Sequence, residues 1–308
     1  MKFIIFPPGL INYPTTTHPW EATATFDDVM EIVLASERLS YDYVTMPDHI
    51  VIDHHAAELL GSRWPDPITA LAYFAGATTS IGLYTSVLVI PYRNLFVQAK
   101  ALATLDWMSK GRLALAIGLG HLESEYQALG VDFAKRGAIA NEYIEALRIL
   151  WTSDEPRYEG EHVSFDDIVL DPKPVSDPCP PIYIGGNSKP AMRRAARLGD
   201  GWHPWTVQPG DLPGCLEYIR SQPDYGAPDR PFEVIMPLSR LNVDDVTHEE
   251  LGDTYVPGTE DEIVEDIETL IAAGTTGLLT YFPPTSSKEE YLERITWFAE
   301  TIIPRYRS

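Results

Sequence analysis

A (β/α)8 barrel is the fold class this sequence predicts. Strand-like and helix-like runs alternate from end to end and approach eight pairs, which is the pattern of βα units feeding a parallel sheet. Glycine and polar residues gather where apolar runs stop, as in Thr85-Ser86-Val87 and Gly118-Leu119-Gly120-His121. In a barrel enzyme that edge holds the chemistry. The length of 308 residues lies within the roughly 200 to 400 that such barrels use. No composition shift marks a linker, so a single domain over residues 1–308 is expected.

Taken in order, strands are expected at Lys2–Phe6, Tyr43–Met46, Leu83–Ile90, Leu113–Ile117, Ile182–Ile184, Gly201–His203, Glu233–Leu241 and Gly277–Tyr281. Helices fall near 25–40, 67–79, 95–109, 137–152, 189–198, 210–221, 260–273 and 287–303. Thr259 and Glu262 have capping-box spacing, and Pro67 suits a first helical turn, where its missing N–H is not needed. Residues 153–181 break the rhythm: RYEGEHVSF reads as a hairpin and PKPVSDPCPP as an extended return, an insertion after the fourth helix. The connections at 7–24 and 47–66 are longer than ordinary βα loops and are candidates for an active-site lid.

Composition excludes several classes. The net charge is −22 and the pI is near 4.6, which repels phosphate backbones and anionic membranes, so no nucleic-acid or membrane partner is expected. No apolar run reaches the roughly 18 residues of a membrane span. The start, MKFIIFPPG, lacks the features of a signal peptide, and a cytoplasmic location is expected. The two cysteines, Cys179 and Cys215, have no metal-ligand or disulfide spacing.

Two constellations could carry chemistry. After Ile184 the chain reads Gly185-Gly186-Asn187-Ser188 and enters a helix; glycines allow close backbone approach, and a helix start offers unpaired N–H groups to a phosphate. The same residues also read as a plain strand-to-helix turn with Ser188 as cap. Lys189, Arg193 and Arg194 favour the anion. In the second, Pro47-Asp48-His49 follows strand two, where His49 can give or take a proton with Asp48 orienting it. Asp53, His54 and His55 are adjacent and cannot easily converge on one metal ion, so no metal site is assigned. Glu123 and Glu125 offer one carboxyl side of a glycosidase pair, but strand seven ends in Ser239-Arg240-Leu241-Asn242 without a partner. Trp64, Tyr92, His121, Trp202, His203 and Trp205 suit a mostly apolar pocket with polar anchors for a small-molecule substrate. Trp107 and Trp151 lie on helix faces and read as core.

Together these residues resemble the luciferase-like monooxygenase superfamily, and within it the oxidoreductases that use the deazaflavin coenzyme F420. The resemblance covers nearly the whole chain. It is carried by Asp48-His49, TSVLVIPYRN, GRLALAIGLGHLESEYQALG, FAKRGAIANEYIEALRILWT and PPIYIGGNSKPAMRRAARLGDGW. It implies a TIM barrel with insertions and a flavin-like ring across the carboxyl ends of the strands. It also implies a non-proline cis peptide at Ser86-Val87 beneath the ring. The cofactor phosphate site maps onto Gly185, Gly186, Asn187 and Ser188. Asp48, Leu119, Gly120 and Ser124 match cofactor-contacting positions. His49 is the implied proton donor or acceptor, and His121 stands where the sugar-phosphate dehydrogenase branch has a glutamate. The rivals are an FMN-dependent monooxygenase using oxygen and a flavin-binding barrel without catalysis. A homodimer is expected by analogy.

Overall fold

The computed structural model describes residues 1–307 except 13, 15–17, 206, 227–230 and 239–258. Its chain order begins β1 (Lys2–Ile5), α1 (Phe26–Arg38), β2 (Tyr43–Met46), α2 (His54–Leu60), α3 (Pro67–Ala77), β3 (Gly82–Val89) and α4 (Leu95–Ser109). Next come β4 (Leu113–Gly118), α5 (Glu123–Ala128), α6 (Arg136–Thr152), a hairpin of β5 (Tyr158–Glu159) and β6 (Ser164–Phe165), β7 (Ile182–Gly185) and α7 (Lys189–Leu198). The chain closes with β8 (Gly201–His203), α8 (Leu212–Arg220), β9 (Glu233–Leu238), α9 (Glu260–Ala272), β10 (Gly277–Thr280) and α10 (Lys288–Thr301). All strands but the hairpin pair in parallel and close one barrel in the order β1, β10, β9, β8, β7, β4, β3, β2.

Each expected barrel strand is present, and so is each expected helix. The expectation for β9 beyond Leu238 lies outside the described residues. Two short helices, α2 and α5, were not expected; with 7 and 6 residues they are too short to show a 3.6-residue period. Local chemistry fixes the helix starts. Asp66 accepts from the Thr69 amide ahead of Pro67, Asn94 caps α4, and Thr259 with Glu262 forms the expected capping box. The hairpin tip docks on α6 because Glu142 accepts the amides of Glu161, His162 and Val163. Buried Asp106 of α4 holds the proline-rich return through the amides of Val175 and Ser176.

The main core lies between barrel and helices, while Ile4, Tyr84, Ala114, Ala116, Tyr183, Ile235 and Leu279 fill the barrel interior. At the amino end of the barrel, Lys2 Nζ meets Glu233 Oε1 and Oε2 at 2.5 and 2.7 Å, and the Tyr183 hydroxyl donates to Glu233 at 2.8 Å. That end is plugged by a satisfied ion pair. Trp151 is 2% exposed, as expected of core, but Trp107 is 55% exposed; α4 is apolar on nearly every face, so periodicity could not say which face is covered. Among the described residues no helix is long and apolar enough to cross a membrane.

Candidate active site

A second set of polar groups lies at the carboxyl end of the barrel. β2 delivers Pro47, Asp48 and His49 there. Asp48, 3% exposed, does not orient His49 as the sequence suggested. Its oxygens accept Arg93 Nη1 at 2.6 Å, Arg93 Nη2 at 2.9 Å and the Val89 amide at 3.0 Å. Arg93 also reaches Asp66, the cap of α3, at 2.6 Å. Burial alone would make Arg93 easier to deprotonate, but its bonds to Asp48 and Asp66 outweigh that and hold it charged. The Asp48–Arg93–Asp66 network thereby ties the 47–66 connection to the exit of β3.

Glu125 of α5 is the residue that orients His49. Its Oε2 lies 2.8 Å from His49 Nδ1 and 2.8 Å from the Tyr92 hydroxyl, while Oε1 accepts the amides of Ile50 at 2.5 Å and Val51 at 3.1 Å. Burial pushes this carboxyl up, but the bonds from His49, Ile50 and Tyr92 more than offset it, so Glu125 titrates below its ordinary range. An ionised Glu125 can only accept, so Nδ1 of His49 carries a proton. Nε2 makes no hydrogen bond among the described residues and is the nitrogen available for proton transfer. The His49 ring stands edge-on to Trp64 with centroids 4.6 Å apart, and 6.0 Å from His121. Partial burial, with His49 nearby, pushes the His121 imidazolium toward its neutral form.

Beside this pair the Ser86-Val87 peptide is cis, and the β3–β4 register slips between Ser86 and Leu88. The Val87 side chain occupies space that only glycine leaves free. A Cβ on Gly118 would lie 2.4 Å from Val87 Cγ2, and one on Gly185 2.8 Å from Val87 Cγ1. Gly120 has φ +64°, and a Cβ there would lie 2.6 Å from the Tyr92 hydroxyl, displacing it from Glu125. Gly120 is glycine for both reasons. The Leu119 carbonyl accepts from Tyr126, and Ser124 bonds Asp53 at the cap of α2.

The Gly185–Ser188 turn is held by hydrogen bonds to β8 and the segment after it. Gly186 has φ +112°, its carbonyl accepts Trp202 Nε1 at 2.8 Å, and Asn187 Oδ1 accepts the Trp205 amide at 2.9 Å. Ser188 caps α7 by accepting the Ala191 amide at 3.3 Å, so the capping role is realised. The basic residues nearby do not face the turn. Arg194 binds Asn141 and the Gly137 carbonyl, Arg193 donates to Tyr218, and Lys189 lies 5.7 Å over the Tyr218 ring. At the start of α7, Pro190 has no N–H and the Ala191 amide is taken by Ser188, so the fit to an anion rests on the side-chain-free Gly186 and on the Lys189 amide at the first helical position; that turn, next to Val87, leaves room for a phosphate-bearing ring cofactor.

Trp64 and His121 do lie with His49. Trp202 and His203 are buried instead, at 0% and 3% exposure, and Trp205 packs edge-on to Tyr281 at 5.7 Å. Sequence reasoning missed Glu125 as partner of His49, Tyr92 as a donor to Glu125, and Arg93 as the partner of Asp48. The only local signal was the Pro91-Tyr92-Arg93-Asn94 run after a strand end.

A parallel barrel with an organised histidine–carboxylate pair and a glycine-lined turn at its carboxyl end has the layout of a barrel enzyme's active site. Residues 1–239 match the family described as luciferase-like monooxygenase, and the chain belongs to that family. It is 28% identical over 298 residues to a protein of Mycobacterium tuberculosis, covering 92% of this chain and 98% of that one. It is 32% identical over 180 residues to an F420-dependent glucose-6-phosphate dehydrogenase of Segniliparus rotundus, covering 57% and 52%. It is 31% identical over 162 residues to an FMNH(2)-dependent dimethylsulfone monooxygenase of Pseudomonas putida, covering 52% and 42%. Among solved structures, a monooxygenase from Streptomyces bottropensis superposes over all of both chains with TM-score 0.83 at 23% identity, a likeness of fold.

Proposed function

We propose that this chain is a coenzyme F420-dependent oxidoreductase that passes hydride between C5 of the deazaflavin and a small organic substrate, with His49 giving or taking the coupled proton. The observation that carries this reading is the His49–Glu125 pair. Removing a hydride from carbon yields a neutral product only if a proton leaves the adjoining heteroatom. A histidine with an ionised carboxylate on Nδ1 and an open Nε2 is built for that transfer. When bound, the deazaflavin supplies the carbon that accepts or gives the hydride.

The chain's residues do the remainder. Glu125 fixes the His49 ring through Nδ1, and Trp64 packs edge-on against it. Ser86, Val87, Leu119 and Gly120 provide the floor and edge of the ring site. Gly185, Gly186, Asn187 and Ser188 hold the phosphate at the start of α7. Asp48 acts through Arg93 as the support of this edge, and Ser124 through Asp53. His121, kept neutral, faces the same space as His49 and can donate or accept a hydrogen bond there. Its place in the sequence, where the sugar-phosphate branch has glutamate, argues against a sugar-phosphate substrate.

Similarity to an F420-dependent dehydrogenase supports this reading. Similarity of comparable identity to an FMNH(2)-dependent monooxygenase supports the second, an FMN-dependent oxygenase. The organised His49–Glu125 pair argues against a barrel without catalysis. The test is an anaerobic assay of oxidised deazaflavin with a panel of secondary alcohols and amines, run beside oxygen uptake with reduced FMN. Substrate-dependent bleaching of the deazaflavin without oxygen is expected. Oxygen uptake with FMN and no deazaflavin bleaching would move the protein to the second reading.

A further inference from the structure

Beneath Ser86 lies a buried polar chain that the proton-transfer site does not use. The Tyr84 hydroxyl is 3.3 Å from His203 Nδ1, and His203 Nε2 is 3.1 Å from Ser86 Oγ. Tyr84 is 0% and His203 3% exposed, whereas Ser86 is partly open at the carboxyl end of β3. His203 ends β8, where its carbonyl accepts the Gly186 amide at 3.3 Å, so the same residue touches both the ring floor and the phosphate turn.

The direction of each bond follows from satisfaction. His203 is the one hydrogen-bond partner of the Tyr84 hydroxyl among the described residues, and a buried O–H without an acceptor is costly. Tyr84 therefore donates to Nδ1, which must be unprotonated. The ring proton then sits on Nε2 and donates to Ser86 Oγ. Burial keeps the Tyr84 phenol protonated and holds the His203 imidazole neutral, against the Ile235 backbone, which favours its charged form; a neutral ring has one nitrogen to accept and one to donate. With Oγ already accepting, the Ser86 O–H is left as a donor with no partner among the described residues, at the edge of the open site.

We propose that Tyr84 and His203 are positioning residues that fix the Ser86 hydroxyl as a hydrogen-bond donor to an acceptor atom of the bound flavin or deazaflavin ring. The inference rests on the reading that the site takes such a ring. It assigns a task to two buried polar residues that lie in or above the apolar and aromatic middle of the barrel, apart from the Lys2–Glu233 pair at its amino end.

The test is a double-mutant cycle read by cofactor binding and by the absorption spectrum of the bound ring, with the deazaflavin and FMN each as probe. Tyr84→Phe and Ser86→Ala should each weaken binding about three- to tenfold, the range of one net hydrogen bond, and shift the bound spectrum alike. The double variant should bind no worse than Ser86→Ala alone, because the two act through one route. His203→Gln, whose amide can accept from Tyr84 and donate to Ser86, should restore near-wild-type binding, and His203→Ala should match Ser86→Ala. If Tyr84→Phe costs the same factor with and without the Ser86 hydroxyl, or if Ser86→Ala binds like wild type, the assignment is overturned while the ring-binding reading stands. Wild-type protein that binds neither ring overturns both.

Discussion

At the residue scale the chemistry turns on one imidazole and the carboxylate behind it. Replacing His49 with alanine removes the proton carrier without touching the ring floor or the phosphate turn. His49→Ala should slow turnover by about 10²-fold or more while leaving cofactor affinity near wild type, and steady-state rates beside binding titrations check this. Glu125→Gln should lower kcat less than His49→Ala. The glutamine keeps one oxygen for Nδ1–H, but that single oxygen cannot also accept from Ile50, Val51 and Tyr92 as the two carboxylate oxygens do, so the ring is held less firmly. Wild-type turnover in His49→Ala would remove the residue from the mechanism. His49 was legible in the sequence because it stands at a strand end in a motif. Glu125 was not, because it lies 76 residues away and reads locally as one of two carboxylates on a short helix. Its role arises only when α5 is folded over the exit of β2. Asp48 is the converse: adjacency in sequence suggested that it orients His49, but its carboxylate turns to Arg93, since a buried carboxylate needs a charged partner.

At the element scale the fold was legible because the sequence alternates between two periods. Apolar runs ending in glycine or polar residues gave all eight barrel strands, and capping chemistry at Asp66-Pro67 and Thr259–Glu262 gave helix starts. α2 and α5 escaped because one or two turns carry no period, and Trp107 was misplaced because α4 is apolar all round. The glycines at strand ends were legible as a pattern but not as a cause. In the structure Gly118 and Gly185 serve Val87, whose side chain would collide with any Cβ at either position. Gly118→Ala, with its Cβ 2.4 Å from Val87 Cγ2, should therefore destabilise the fold by about 1–3 kcal/mol through overpacking. It should also weaken cofactor binding more than its stability loss explains, because Val87 is displaced toward the ring site. Chemical denaturation and a binding titration on the same variant separate the two effects; unchanged stability would show that the strand ends have slack.

At the scale of the whole molecule, two buried histidines contribute to how the fold responds to acid. Burial holds His203 down at about 4, and burial together with Arg294 holds His18 down at about 3, against an ordinary value of 6.5. The unfolded chain takes up these protons as pH falls below 6.5 and the folded chain does not, so both histidines stabilise the fold at neutral pH, and the stability is lost between pH 6.5 and about 4 or 3. His203→Gln has no such proton to take up. The stability gap between wild type and this variant should thus shrink by about 2 kcal/mol from pH 7 to pH 5, measured by urea unfolding at each pH. A gap that stays constant would mean that His203 titrates alike in both states.

The central claim is that the carboxyl end of this barrel binds a deazaflavin for hydride transfer. The most direct measurement is parallel equilibrium titration of the purified protein with coenzyme F420 and with FMN, following cofactor fluorescence. The account predicts tight binding of the deazaflavin and much weaker binding of FMN. Preference for FMN would contradict it and place the chain with the oxygen-dependent monooxygenases of its family.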